Sequence, residues 1–161
     1  MTVAYIDRLN EHYQSQGFPA YSWSKNEDAP WAAMDKPLSE CRVSMLTSGG
    51  ISCSWQPPFD ADARNDLKLL DIPKDAPADG FVINDAYYDH RDADRDINCV
   101  FPIERMHELE EDGTIGELSP RLFSGFMGRI YTRTAVLQEA APALVAKLQE
   151  DHVDALILVP A

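Results

Sequence analysis

The chain has 161 residues, 45% of them hydrophobic and 25% charged, which is the composition of a globular domain rather than of a disordered segment. Its 14 Lys and Arg stand against 27 Asp and Glu, a net charge of −13 that repels phosphate backbones and anionic leaflets and excludes nucleic acid and membrane as partners. No apolar run reaches the roughly 20 residues that span a bilayer and "MTVAYIDRLNEHY" carries no signal-peptide pattern, so the expected location is the cytoplasm.

The spacing of Ile6, Leu9 and Tyr13 predicts an amphipathic helix from Val3 to Gln16, closed by Gly17. From "GFPAYSW" to "DAPWAAMDKPL", prolines and aromatics keep neither a helical nor a strand period, which predicts an ordered segment whose Trp and Tyr rings cover core. "CRVSMLTSGGIS" reads as a strand, with Val43, Met45 and Thr47 alternating, ended by a tight Ser-Gly-Gly turn. "GFVIN", Gly80 to Asn84, follows the turn-rich "DIPKDAPAD" and predicts another strand.

Pro102 opens a helix over "PIERMHELEEDG", since its missing N–H would be unpaired in the first turn; Ile103, Met106 and Leu109 form its buried stripe and Gly113 closes it. Pro120 to Phe126 is expected to make a further helical turn. A long helix follows from Thr134 to Gln149, apolar at Val136, Leu137, Ala140, Ala141, Leu144, Val145 and Leu148, in which Pro142 either causes a kink or marks the start of the regular part. The closing "HVDALILVPA" reads as an acidic turn and a strand, Ala155 to Val159, apolar on both faces, so helix and strand make half of a βαβ unit. The expected fold is a single α/β domain over residues 1–161, with a parallel or mixed sheet flanked by helices.

The chemistry-bearing residues cluster in two places. "TSGG", Thr47 to Gly50, follows a strand, where backbone amides can hold an anion, although the same glycines satisfy a tight turn; it matches neither GxGxxG nor a Walker loop, and no cofactor is expected. "DAYYDHRDADRDIN" is the most polar island, with Asp85, Asp89, His90, Asp92, Asp94 and Asp96. Ile97 and Ile103 stand where a calcium loop needs glycine and glutamate, which argues against an EF-hand, and no metal is expected. Arg91 and Arg95 offset part of the charge, so a solvated loop is the default, while a carboxylate beside His90 would orient the imidazole and suit it to carry a proton. Cys41, Cys53 and Cys99 lack metal or disulfide spacing and read as reduced thiols; Cys53, just past the glycine turn, reads as a packed one, or as a reactive thiol if a nearby cation lowers its pKa. His12, His107 and His152 read as surface or half-buried residues.

Taken in order, "YQSQGFPAYSW", "APWAAMDKPLSECRVSMLTSGGI", "YYDHRDADRDINCVFPIERMHELEEDGTIGEL", "FSGFMG" and "LQEDHVDALILVPA" resemble the selenoprotein B family of glycine, sarcosine, betaine and D-proline reductases. The resemblance implies an α/β domain and reductive chemistry on a small-molecule substrate by a selenocysteine or cysteine, with companion reductase subunits or a thiol carrier as partners. In that family the nucleophile sits in a turn after a strand similar to "VDALILVPA", a position beyond Ala161. The chain is therefore expected to be catalytically silent, ended by an in-frame UGA read as stop, by a cut, or as a natural short form. The resemblance further implies that Ser48, Gly49 and Gly50 line the pocket as backbone donors, that His90 carries a proton with Asp96 orienting it, and that Asn98 is a polar contact to substrate. The alternative is a non-catalytic subunit, binding a cation or partner through the acidic loop 85–98. A terminal apolar strand also leaves a sheet edge open, and a homodimer is expected.

Overall fold

The computed structural model describes residues 4–20, 25, 27–30 and 32–161. The chain divides into two units, Met1–Ala33 and Met34–Ala161. The first carries helix α1, Tyr5–Ser15, within the predicted span, followed by Gly17 at φ 82°. No α1 side chain is buried, and the Tyr13 and Phe18 rings meet edge to face at 6.1 Å. The core-covering role expected of Tyr21, Trp23 and Trp31 falls outside the described residues.

The second unit is α/β. Its sheet is built on β1, Arg42–Thr47, a strand buried on both faces. On one side of β1 lie β5, Glu117–Leu118, and β6, Arg121–Gly125, both parallel to it; on the other lies β7, Ala155–Val159, parallel and in register from Val43↔Ala155 to Thr47↔Val159. Antiparallel β3, Leu69–Pro73, adds to the far side of β6, so the sheet is mixed, as expected. A two-stranded antiparallel pair, β2 (Ile51–Cys53) and β4 (Phe81–Ile83), stands beside it.

Alternation along β1 makes two cores. Val43 and Met45 face a cluster with Ile51, Cys53, Phe101, Leu118 and Leu122, completed by Ile103 and Met106 of helix α2, Ile103–Glu111. Leu46 faces the other way with Phe123, Leu144 and Leu148. Leu144 and Leu148 come from α4, Ala141–Glu150, the last part of a helix that starts as α3, Arg133–Ala135, and widens to a π turn over Val136–Ala140. That turn ends two residues before Pro142, whose ring and missing N–H an unbroken α-helix tolerates poorly. Of the predicted stripe, Ala140 and Leu144 are buried, whereas Leu137 and Val145 are exposed.

Two expectations require correction. Pro120 to Phe126 is not a helical turn: its residues form β6, in which Leu122 and Phe123 enter opposite cores with no exposed surface. A short run buried on both sides has no alternation to reveal it. β7, whose apolar faces suggest cover by helices on both sides, is not so covered, because Ile157 and Leu158 are exposed, Leu158 by 64%; among the described residues the strand pairs with β1 alone.

Among the described residues no helix is long and apolar enough to cross a membrane.

Candidate functional site

Between β1 and β6 the sheet changes the face to which its connections lead. The chain leaves β1 toward the face covered by β2 and α2, and leaves β6 toward the face covered by α4. In α/β sheets such a switch opens a crevice outside the carboxyl ends of the strands, and the Ser48–Gly50 bend stands at that end of β1. Gly50 has φ 66°, and a Cβ there would lie 2.8 Å from the Asn84 carbonyl oxygen, so only glycine lets the bend pass beneath the 84–85 backbone.

The end of β7 meets this bend. The Ser48 amide donates to the Val159 carbonyl at 3.2 Å, and the Ala161 amide donates to Ser48 Oγ at 3.0 Å. The Gly49 amide donates to Thr47 Oγ1 at 3.1 Å, while the Thr47 hydroxyl donates to the Val100 carbonyl at 2.7 Å. The amides of Ser48 and Gly49, expected as donors to a ligand, are thus committed to the fold.

The acidic segment closes over the bend. The Tyr88 hydroxyl donates to the Gly49 carbonyl at 2.9 Å, and the Tyr88 and His90 rings lie edge to face at 5.8 Å. Burial, helped by the nearby Asp85 and Asp94 carboxylates, pushes the Tyr88 phenol up to about 12. His90 Nδ1 lies 2.8 Å from Asp94 Oδ2, so Asp94, not Asp96, orients the imidazole. One helical turn separates the two, and the Asp94 amide donates to the His90 carbonyl.

Asp96 has another task. Its Oδ1 accepts from the Asn98 amide and from Asn98 Nδ2, which holds its carboxyl below the usual range. Asn98 Nδ2 also donates to Glu104 Oε2 at 2.6 Å, and its Oδ1 accepts from the Glu104 amide, so Asn98 braces the start of α2. Asp94, Asp96 and Glu104 do share a concavity of about 570 Å³ with Phe81, Ile83 and Ile97. The structure therefore brings Ser48, Gly49, Tyr88 and His90 together and sets Asp96 and Asn98 at the mouth of α2.

Cation chemistry finds little here. Asp89 pairs with Arg91, Asp92 with Arg95 and Asp94 with His90, and among the described residues no group of three or more His, Cys, Asp or Glu gathers as metal ligands. Cys41 and Cys53 are buried and Cys99 is exposed; burial raises the Cys53 thiol above its ordinary value. His107 Nε2 lies 2.8 Å from the Lys74 carbonyl, and His12 and His152 are exposed.

Sequence reasoning does not reach Tyr88, and it names Asp94 only as a member of the polar island, giving the orienting role to Asp96. Asp94 carried a legible signal, its i+4 spacing from His90; the reach of Tyr88 to Gly49, 39 positions away, carried none.

Together these features define an α/β protein whose candidate site lies outside the carboxyl ends of parallel strands. The chain belongs to the family described as glycine/sarcosine/betaine reductase selenoprotein B, whose profile matches residues 5–161. It is similar to the D-proline reductase subunit gamma of Acetoanaerobium sticklandii, 31% identical over 80% of this chain and 52% of the relative. Two Peptoclostridium acidaminophilum proteins are also similar: glycine reductase complex component B subunit gamma, 30% identical over 92% of this chain and 33% of the relative, and sarcosine reductase complex component B subunit beta, 31% identical over 76% and 28%. The chain thus spans about half the length of the first of these curated relatives and about a third or less of the others. No solved structure matches it significantly.

Proposed function

We propose that this chain is the pocket-forming α/β part of a reductase subunit, which acts in the cytoplasm with companion subunits or a thiol carrier on a small amino-acid or betaine-like substrate. In this reading a selenocysteine or cysteine placed directly after β7 attacks the substrate carbon that bears the nitrogen and displaces that nitrogen, and a dithiol then reduces the resulting selenoether or thioether to free product and nucleophile, itself becoming a disulfide. The residues of the present chain form the floor and one wall, without the nucleophile.

One observation carries the reading: Ala161 is hydrogen-bonded to Ser48 and lies against the glycine bend, so whatever follows β7 emerges at the crevice. A turn after a strand is a favourable seat for a thiolate or selenolate when a helix N-terminus follows. His90, oriented by Asp94, is the proton carrier of this proposal, and Tyr88 positions the bend beneath it.

The test has two arms. The gene downstream of the Ala161 codon should continue in frame, with a UGA or a Cys codon near its start and helix-forming sequence after it. A form carrying those residues should consume dithiol only when glycine, sarcosine, betaine or D-proline is present, and alkylation should abolish this. Turnover independent of dithiol, or no open frame downstream, overturns the proposal.

The reading of the 85–98 loop as a cation-binding module loses support from the Arg91–Asp89 and Arg95–Asp92 pairs, which neutralise two of the carboxylates such a module would use, and from Asp96, which is committed to Asn98. The edge of β7 that no strand covers among the described residues supports the homodimer expected from the sequence, since Leu158 and Ile157 also present apolar surface on that strand.

A further inference from the structure

The loop after β6 carries a cation that the fold leaves unneutralised. Leu46↔Phe123 and Thr47↔Ser124 are the paired positions of β1 and β6, so Gly49 and Phe126 each follow the last pair by two residues on adjacent strands. From there the chain runs through Met127 and Gly128 to Arg129, and both Phe126 and Arg129 are in the left-handed region, at φ 54° and 64°. Non-glycine residues stay in that region only where their surroundings hold them. Here Asn65 does so: its amide donates to the Arg129 carbonyl at 3.0 Å, and its Oδ1 accepts from the Tyr131 amide at 2.7 Å and the Thr132 amide at 3.0 Å.

The Arg129 guanidinium is oriented as firmly as its backbone. Nη1 donates to the Asp62 carbonyl at 2.8 Å, and the group stacks 4.8 Å from the centroid of the Tyr87 ring. Tyr87 is the neighbour of Tyr88, which caps Gly49, so one dipeptide clamps the loops that leave both strands. No carboxylate lies within ion-pair distance of Arg129 among the described residues. Of the other half-buried arginines, Arg42 holds Glu117, and Arg121 holds Asp71, Glu150 and Asp151. In a chain with 27 acidic side chains against 14 basic ones, a half-buried arginine that reaches none of them is conspicuous. Its Nε–Nη2 edge, two parallel N–H groups, has no acceptor among the described residues.

We infer that Arg129 is a carboxylate-binding residue at the switch-point crevice, gripping a small monocarboxylate through its Nε–Nη2 edge while Tyr87 fixes the plane of the guanidinium. A carboxylate suits this geometry better than a phosphate. Arg129 is the one cation on which this geometry relies among the described residues, the Ser48 and Gly49 amides are already bonded within the fold, and a net charge of −13 disfavours a dianion. The inference rests on the proposed function only in taking amino acids among its probes.

Amide and arginine Nε resonances of the whole chain are followed by NMR during titration with acetate, glycine, glycinamide and inorganic phosphate. Acetate and glycine should produce saturable shifts at Arg129 Nε and through residues 126–131, and glycinamide should not. Arg129→Ala should weaken glycine at least tenfold with the dispersed spectrum of a folded protein retained. Arg129→Lys should restore little, because a single ammonium does not reproduce the fork. If Arg129→Ala disturbs folding, Tyr87→Leu serves instead, and should weaken glycine severalfold with the charge intact. Equal binding of glycine and glycinamide, wild-type affinity in Arg129→Ala, tighter binding of phosphate than of acetate, or no saturation with either carboxylate each overturns the inference. Should Arg129→Ala bind as wild type while the extended protein still reduces its substrate, the anchor is wrong and the reductase reading stands. Carboxylate binding that depends on Arg129, in an extended protein that reduces nothing, upholds the anchor and removes the reductase reading.

Discussion

The Tyr88 hydroxyl donates to the Gly49 carbonyl across 2.9 Å, joining the acidic segment to the bend at the end of β1. Tyr88→Phe removes this bond and leaves the carbonyl without that donor. A loss of about 1 kcal/mol is expected, seen as a fall in melting temperature of about 3 °C. An unchanged melting temperature would mean that the clamp contributes nothing to stability.

The same phenol predicts an alkaline limit. Its folded pKa of about 12 lies above the ordinary 10, so the unfolded chain releases this proton first and the folded state binds more protons between the two values. The stabilisation is complete below about pH 10 and disappears as pH rises toward 12. Absorbance at the tyrosinate wavelength should show one late-ionising tyrosine in the folded protein, missing from Tyr88→Phe.

Thiol reactivity should separate the three cysteines. In the native protein Cys99 should react rapidly with a thiol reagent, whereas Cys41 and Cys53 are buried and the Cys53 thiol is raised by burial, which lowers its thiolate fraction. Denaturant should release both remaining groups. Mass mapping of the labelled peptides checks the assignment, and rapid native labelling of Cys53 would contradict it.

Gly50→Ala tests the bend itself. The new Cβ meets the Asn84 carbonyl oxygen at 2.8 Å, and φ 66° is unfavourable for alanine, so a destabilisation of about 1–3 kcal/mol is expected. Chemical denaturation measures it. Gly128→Ala is the control, since nothing lies within 4 Å of its Cβ position.

The open edge of β7 predicts self-association. Leu158, 64% exposed on a strand that among the described residues pairs only with β1, is the residue to change, and Leu158→Lys should shift the light-scattering mass toward the monomer without lowering stability. A monomeric wild-type chain at high concentration would remove the basis for this expectation.

How far the sequence could be read follows from periodicity. Strand β1 announced itself by its glycine stop, α2 by its proline and glycine ends, and β7 by its uninterrupted apolar run. β6 and β3 did not: Leu122 and Phe123 are adjacent and feed opposite cores, while "LLDIP" interleaves an acid that Lys147 and Arg121 hold from α4 and β6. The polar island was found as a composition, but its pairings were not. Asp96 turned to Asn98, two positions away in sequence, while Asp94, one helical turn from His90, took the imidazole. Arg129 gave no signal, because its isolation from acids exists only after folding.

Thr47 has a consequence of its own. A single interior hydroxyl accepts from Gly49 and donates to Val100, so the bend and the approach to α2 are fastened at one point shielded from solvent. Amide exchange there should be as slow as in the centre of the sheet, and the rim at 85–96 should exchange far faster. Mutation can then redraw the rim over evolutionary time while the foundation beneath it keeps its shape.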